Sequence, residues 1–362
     1  MIAVDAMGGD FAPGAIVKGA LSAAKEFGIK IVLVGDEARI SRYLSPSNEL
    51  QLPIDIRHAP QRVEMGEVPS ESFRQKPYSS MSVSLKMLYE KEVKAVVSAG
   101  NTGAFLYSAI KILNTLPKVK RPAISTIIPS IKGRTIVLDA GANVDCRPEW
   151  LLQFAIMGHL YAKIILKKER PKIALLNNGS EPTKGNRLTQ EVYRILDNSS
   201  LNFVGNIEGN NIFYGEADVV VCDGFVGNIF LKLTEGFANI YVNMLKEEVS
   251  KRARSGIGAY LMKPAFENLN RRLDFTEYGG APLLGVNGVC IVAHGSSPSY
   301  AIKNAIKTAE DFVIKDFNKT LPEEIERLED LVTYRPSKRR WFWGSLRGSF
   351  SKERDEKEEK IE

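Results

Sequence analysis

A series of short turns in this chain is built from glycine, asparagine and aspartate, each just after an apolar run. The first spans residues 5–10 (Asp5-Ala6-Met7-Gly8-Gly9-Asp10), and others span 98–103, 139–143, 177–186 and 222–228. Backbone N–H groups in glycine turns and at helix N-termini suit an anionic ligand, above all phosphate. One such turn means little. Their repetition predicts loops gathered at one rim of a parallel sheet, where open α/β sheets bind ligands.

The elements that must carry these turns are legible as alternating strands and helices. Strands are expected at 2–5, 31–34, 54–58, 95–98, 123–128, 135–138, 173–176, 218–221 and 289–293. Helices are expected at 13–27, 79–90, after the 100–103 turn, at 148–166, after 186 and at 298–317, with a polar loop through Arg74. Pro13 and Pro148 suit helix starts, where a missing N–H costs nothing. Strands reading as continuous apolar runs between helices indicate a mainly parallel, Rossmann-like α/β sheet covered on both faces. Residues 226–273 depart from the alternation and read as a helical hairpin with its tip near 256–262. Residues 1–332 read as one α/β unit. The tail from 333 is basic and aromatic, then almost wholly charged, which predicts disorder.

Composition bounds the function. The 362 residues are 44% hydrophobic and 25% charged, as in an ordinary soluble globular protein. No leader and no apolar run of about 20 residues is visible. This points to a cytoplasmic protein, or to one that lies on a membrane without spanning it. Cys146, Cys222 and Cys290 are far apart, so neither a metal site nor a disulfide framework is expected. The net charge of +6 favours an acidic partner. No nucleic-acid motif accompanies it.

Taken together, the segments IAVDAMGGDFAPGAIVKG, SAGNTGA, LDAGAN, NNGSEPTKGN, EGNNIFYGEADVVVCDGFVGN, DFTEYGGAPLLG and AHGSS resemble the bacterial acyl-acyl carrier protein:phosphate acyltransferases. The resemblance runs over about residues 1–317 and does not reach the tail. It implies attack of inorganic phosphate on the thioester of an acyl carrier protein, giving acyl phosphate for phospholipid synthesis. It also implies a homodimer with a fold like the isocitrate and isopropylmalate dehydrogenases and phosphotransacetylase. Such a dimer would work at the inner face of the cell membrane, beside a membrane acyl-phosphate:glycerol-3-phosphate acyltransferase.

The residues suit that chemistry. Phosphate is already an anionic nucleophile, and a thiol of pKa ~8.5 is a good leaving group. The transfer therefore calls for no cofactor and no metal, only cations, N–H donors and alignment. Lys184, just before a helix expected near Asn186, is the leading catalytic candidate for holding phosphate. Read alone it would be a solvated loop lysine. Asn228 is the second, as a donor to the thioester oxyanion or to phosphate; its plainer reading is a helix N-cap. Gly8, Gly9, Asp10, Asn101, Thr102, Asp139, Asn143 and Ser180 complete the expected substrate site. Asp5 and Asp10 would repel phosphate, and are expected to orient loops or meet a cation. His294 is expected to shape the cleft or a dimer contact, and His159 to be a satisfied core residue.

At the hairpin tip Ile257, Tyr260, Leu261 and Met262 are ringed by cations, a pattern suited to an anionic bilayer surface. Lys263, Arg271 and Arg272 are candidates for holding the acidic carrier protein. Two other readings stay open: a short-chain phosphotransacetylase-like enzyme, and a non-catalytic membrane-surface scaffold for acyl carrier protein.

Overall fold

The computed structural model describes residues 1–44, 52–251, 258, 259, 261–266, 269 and 279–330. Eleven strands form one sheet: β1 (Ile2–Asp5), β2 (Ile31–Gly35), β3 (Ile54–His58), β4 (Ala95–Ser98), β5 (Ala123–Ser130), β6 (Gly133–Leu138), β7 (Ile173–Leu176), β8 (Phe203–Ile207), β9 (Val219–Val221), β10 (Ala281–Leu284) and β11 (Val289–Val292). Their order is β3-β2-β1-β4-β11-β10-β5-β6-β9-β7-β8. Alternate residues of each buried strand serve opposite faces. Val4 and Val97 join one apolar cluster, while Ala3 and Val96 join the other.

Helices cover both faces. Against the first cluster lie α1 (Gly14–Phe27), α6 (Pro148–Ile164), α7 (Arg187–Asp197), α9 (Ser299–Ile314) and α10 (Phe317–Asp330). Against the second lie α4 (Ser80–Tyr89) and α5 (Thr102–Leu113). The short helices α2 (Glu37–Ser41) and α3 (Pro69–Gln75) sit in connections, and α8 (Gly224–Ser250) is the longest. Phe230 and Leu231 seat α8 beside β6 and β9.

The strands fall into two parallel groups of opposite sense. β1, β2, β3, β4 and β11 run together. β10 is antiparallel to β11 and to β5, and β5 is antiparallel to β6. β6, β9, β7 and β8 run together again. Three reversals turn the second group against the first, which corrects the single rim expected from the sequence. The turns after β1, β4 and β11 form one group, and those after β6, β7 and β9 form another. Strand sense is fixed by long-range pairing, which apolar patterning does not encode.

Other differences are local. The expected polar loop before Arg74 contains α3, with Pro69 at its first turn and Glu71 and Arg74 at the ends their charges favour. The single helix expected at 298–317 stops at Ile314, where Asp316 takes φ 50° and α10 starts anew. β8 and β10 also form beyond the expected set. His159 is not satisfied: its Nδ1 has no hydrogen-bond partner, and its Nε2 lies 4.0 Å from Glu324.

Candidate active site

The first group of turns is organised around Asp5. Its buried carboxylate accepts Met7 N–H at 3.2 Å and the Ser98 hydroxyl at 2.7 Å. Ser98 Oγ in turn accepts Gly100 N–H at 3.1 Å, joining the turns after β1 and β4. Burial pushes the Asp5 carboxyl up, opposed by the hydroxyls and N–H groups around it. Gly8 has no room for a side chain, since a Cβ would sit 2.7 Å from Asp5 Oδ2 and from Gly100 N. Gly9 takes φ +100° beside the Gly295 carbonyl, to which Asp10 N–H donates at 2.8 Å. Asp5 thus orients loops, as expected, whereas the Asp10 side chain is exposed.

Asn101 is used within the fold. Its Oδ1 caps α5 through Ala104 N–H, while Nδ2 donates to Met65 O at 2.8 Å and Glu67 O at 3.1 Å. It therefore pins the 64–67 loop beside the first turn. Thr102 is exposed at the start of α5.

The second group is organised around Asp139, which is fully buried after β6. Its Oδ1 accepts the N–H groups of Ile124 (3.0 Å), Gly141 (3.2 Å) and Ala142 (3.0 Å). Its Oδ2 accepts Asn143 N–H (2.7 Å) and Asn143 Nδ2 (2.9 Å). Burial pushes this carboxyl up, against the pull of those donors. The turn's N–H groups thus face their own aspartate, so the cradle read from LDAGAN is already filled by a carboxylate. Asn143 also donates to Pro122 O at 2.8 Å, and its carbonyl accepts Gly224 N–H at 2.7 Å.

That last bond docks α8 on the turn. Asp223 is the N-cap, accepting Val226 N–H at 2.9 Å, so Asn228 is not the cap and lies just over one turn inside the helix. A Cβ on Gly227 would fall on the Asp139 carbonyl oxygen, so only glycine allows this approach. Asn228 is exposed beside Gly141, and a Cβ there would lie 3.5 Å from the Asn228 Cβ.

Lys184 rides on the loop between β7 and α7. Three neutral amides hold its backbone. Asn206 Nδ2 donates to Glu181 O (2.8 Å), Gln190 Nε2 to Thr183 O (2.8 Å) and Gly185 O (3.2 Å), and Asn177 Nδ2 to Lys184 O (3.2 Å). Asn186 caps α7 through Thr189 N–H at 2.9 Å, so the lysine stands two residues before the cap, as expected. Its stem crosses Gly179, and its Nζ lies 3.9 Å from Glu181 in an exposed pair. Such a pair contributes about 0–1 kcal/mol, so the amine can leave it readily. Ser180 is exposed on the same loop.

Helix α8 links the two groups. Lys232 Nζ lies 3.3 Å from His294 Nε2 and pairs with Glu235 at 3.0 Å. His294 Nδ1 meets Ser296 Oγ at 2.8 Å. From Gly224 to Lys232 the helix rises about 12 Å at 1.5 Å per residue, which sets the span between the groups. Sequence reading missed Lys232, Gln190 and Asn206; nothing in their local pattern marks them.

Burial pushes all three thiols up. Cys222 is buried, and half-buried Cys146 is pushed up to about 12 by burial and by the charge of Asp139. Leu261 and Met262 are 74% and 53% exposed, and Lys263 is exposed. Ile257, Tyr260, Arg271, Arg272 and the tail from 333 lie outside the described residues. Among the described residues, no helix is long and apolar enough to cross a membrane.

A family model described as "Fatty acid synthesis protein" matches residues 1–320. The phosphate acyltransferase of Pelotomaculum thermopropionicum is 48% identical over 328 residues, covering 91% of this chain and 96% of its own. That of Geobacter sulfurreducens is 48% identical over 325 residues, covering 90% and 94%. Among solved structures, a phosphotransacetylase from Streptococcus pyogenes aligns with TM-score 0.56 at 18% identity, covering 87% of this chain and 94% of that one. The EutD phosphotransacetylase from Staphylococcus aureus aligns with TM-score 0.52 at 15% identity, covering 86% and 93%. At these identities the structures speak for the fold alone.

Proposed function

Because this chain belongs to the phosphate acyltransferase family, we propose that it moves a fatty acyl group from acyl-acyl carrier protein to inorganic phosphate. Its acyltransferase role in lipid synthesis is that of the family. In the proposed step a phosphate oxygen attacks the thioester carbon. The C–S bond then breaks, and the carrier leaves as a thiolate that takes a proton from water. The products are acyl phosphate and carrier thiol.

The observation that carries this reading is the setting of Lys184. Neutral amides fix its loop, so apart from the exposed pair with Glu181 its charge is left for an anion. The N-terminus of α7 adds a positive end beside it. Asn228 supplies a carboxamide for the oxyanion that forms on the thioester carbonyl. High thiol pKa values argue for direct attack over an acyl-cysteine route.

The wider setting follows from the same reading. The exposed Leu261 and Met262 suit contact with the inner face of an anionic membrane, beside the acyltransferase that would use acyl phosphate. Along α8, Ile229, Leu233, Phe237, Ile240 and Met244 recur at spacings of four and three and stay exposed, which suits pairing in a homodimer.

The test follows acyl phosphate and free carrier thiol with palmitoyl-acyl carrier protein and phosphate. Lys184→Ala is expected to abolish turnover with unchanged thermal midpoint, because the side chain is exposed. Turnover untouched by the substitution would sink the site. Turnover of acetyl-coenzyme A but not of the carrier substrate would favour the short-chain enzyme. Carrier binding without any turnover would favour the scaffold.

A further inference from the structure

Trp150, half-buried at the first turn of α6, has two arginines stacked on it. The Arg121 guanidinium lies 4.8 Å from the ring centroid and that of Arg147 lies 5.7 Å away. Both arginines are exposed, and among the described residues neither is ion-paired. The nearest carboxylates in sequence, Asp145 and Glu149, bridge to neither. The neighbouring Lys118 and Lys120 do pair, with Glu326 and Glu329.

Fold stability does not explain the arrangement. Two like charges on one indole repel, and Arg147 occupies the N-cap of α6, where a cation opposes the helix dipole. What the contacts do provide is placement: both guanidinium groups lie over one indole that packs against the core, which sets two cations, neither ion-paired among the described residues, side by side at the surface. Arginine with tryptophan is also the composition that dominates binding energy at protein interfaces.

The stack adjoins the candidate site. Arg121 precedes Pro122, whose carbonyl accepts Asn143 Nδ2. Arg147 follows Cys146, whose thiol donates to the Asn143 carbonyl at 3.4 Å. Both arginines are therefore tied through one neighbour to the Asp139 turn, beside Asn228.

We propose that Arg121, Trp150 and Arg147 form a docking surface for the acidic face of the acyl carrier protein, set to deliver its thioester to the Asn228 side of the site. This rests on the carrier being the substrate. It adds a surface distinct from the hairpin cations Lys263, Arg271 and Arg272.

Binding of fluorescently labelled palmitoyl-acyl carrier protein at low ionic strength tests it. Arg121→Glu and Arg147→Glu are each expected to weaken binding about tenfold or more and to flatten its salt dependence. Lys25→Glu, the same charge change on the remote α1, is expected to leave binding unchanged. Arg121→Gln and Arg147→Gln remove charge with little change of size, and should weaken binding less, in the same direction, with a wild-type thermal midpoint. With turnover as readout, KM for the carrier substrate should rise while kcat and KM for phosphate hold. Equal affinity in both reversals, or equal loss in Lys25→Glu, would overturn the surface. Wild-type carrier binding that depends on both arginines without phosphate-dependent turnover would keep the surface and remove the reaction. Normal turnover and carrier KM in both reversals would do the opposite.

Discussion

Asp139 directs both its oxygens into the turn that it begins, and so decides the shape of that turn before any ligand arrives. Asp139→Ala would deprive four backbone N–H groups, one buried and three part-buried, of their acceptor, and would leave Asn143 Nδ2 only its bond to Pro122 O. The expected cost is on the order of 3–5 kcal/mol in urea unfolding, with Asp139→Asn losing clearly less because one acceptor remains. A loss below about 1 kcal/mol would mean that the turn is held by other bonds. His159 makes a separate prediction. Burial lowers its pKa below the usual 6.5, opposed by the nearby Glu324. As pH falls the unfolded chain takes this proton first, so the contribution is whole above pH 6.5 and is lost as pH drops through the folded value. The thermal midpoint should therefore fall more steeply between about pH 7 and 5 in the wild type than in His159→Gln. At this scale the sequence was informative about residue type and less so about role. Asp5, Asp139 and Asn101 stood out, but whether their polar atoms face a ligand or their own backbone depends on turn geometry. The position of Lys184 just before a helix was legible because Asn186, Thr189 and the glycines around it fix the loop locally.

Among the elements, the close seat of α8 on the Asp139 turn is the feature most sensitive to change. Gly227→Ala is expected to push the helix off that turn, moving Asn228 with it. Thermal stability should fall by about 2 kcal/mol or more, and turnover should fall further than stability alone explains. A variant with wild-type turnover would show that Asn228 tolerates displacement. Elements such as β1, β4, β7 and α1 were legible because buried runs and capping proline or glycine are local signals. β10 was not, since Ala281-Pro282-Leu283-Leu284 is short, follows two glycines and carries a proline. α10 was not either, because Pro322 interrupts its pattern. The reversal through β10 and β5 lay beyond any local signal, and it is what separates the turns into two groups.

For the whole molecule, the apolar side of α8 stands exposed, with Leu233 71% and Phe237 70% accessible. The proposed homodimer predicts that Leu233→Glu with Phe237→Glu yields monomers in sedimentation, whereas Leu261→Glu leaves the dimer intact. Dimers surviving the double substitution would move the interface elsewhere. Turns folded round their own carboxylate stand in both strand groups, at Asp5 and at Asp139. Their consequence for the molecule is one of timing: the disorder of these loops is surrendered once, when the chain folds. In the proposed reaction a ligand would then meet surfaces already set, and its binding free energy would not be diminished by ordering them.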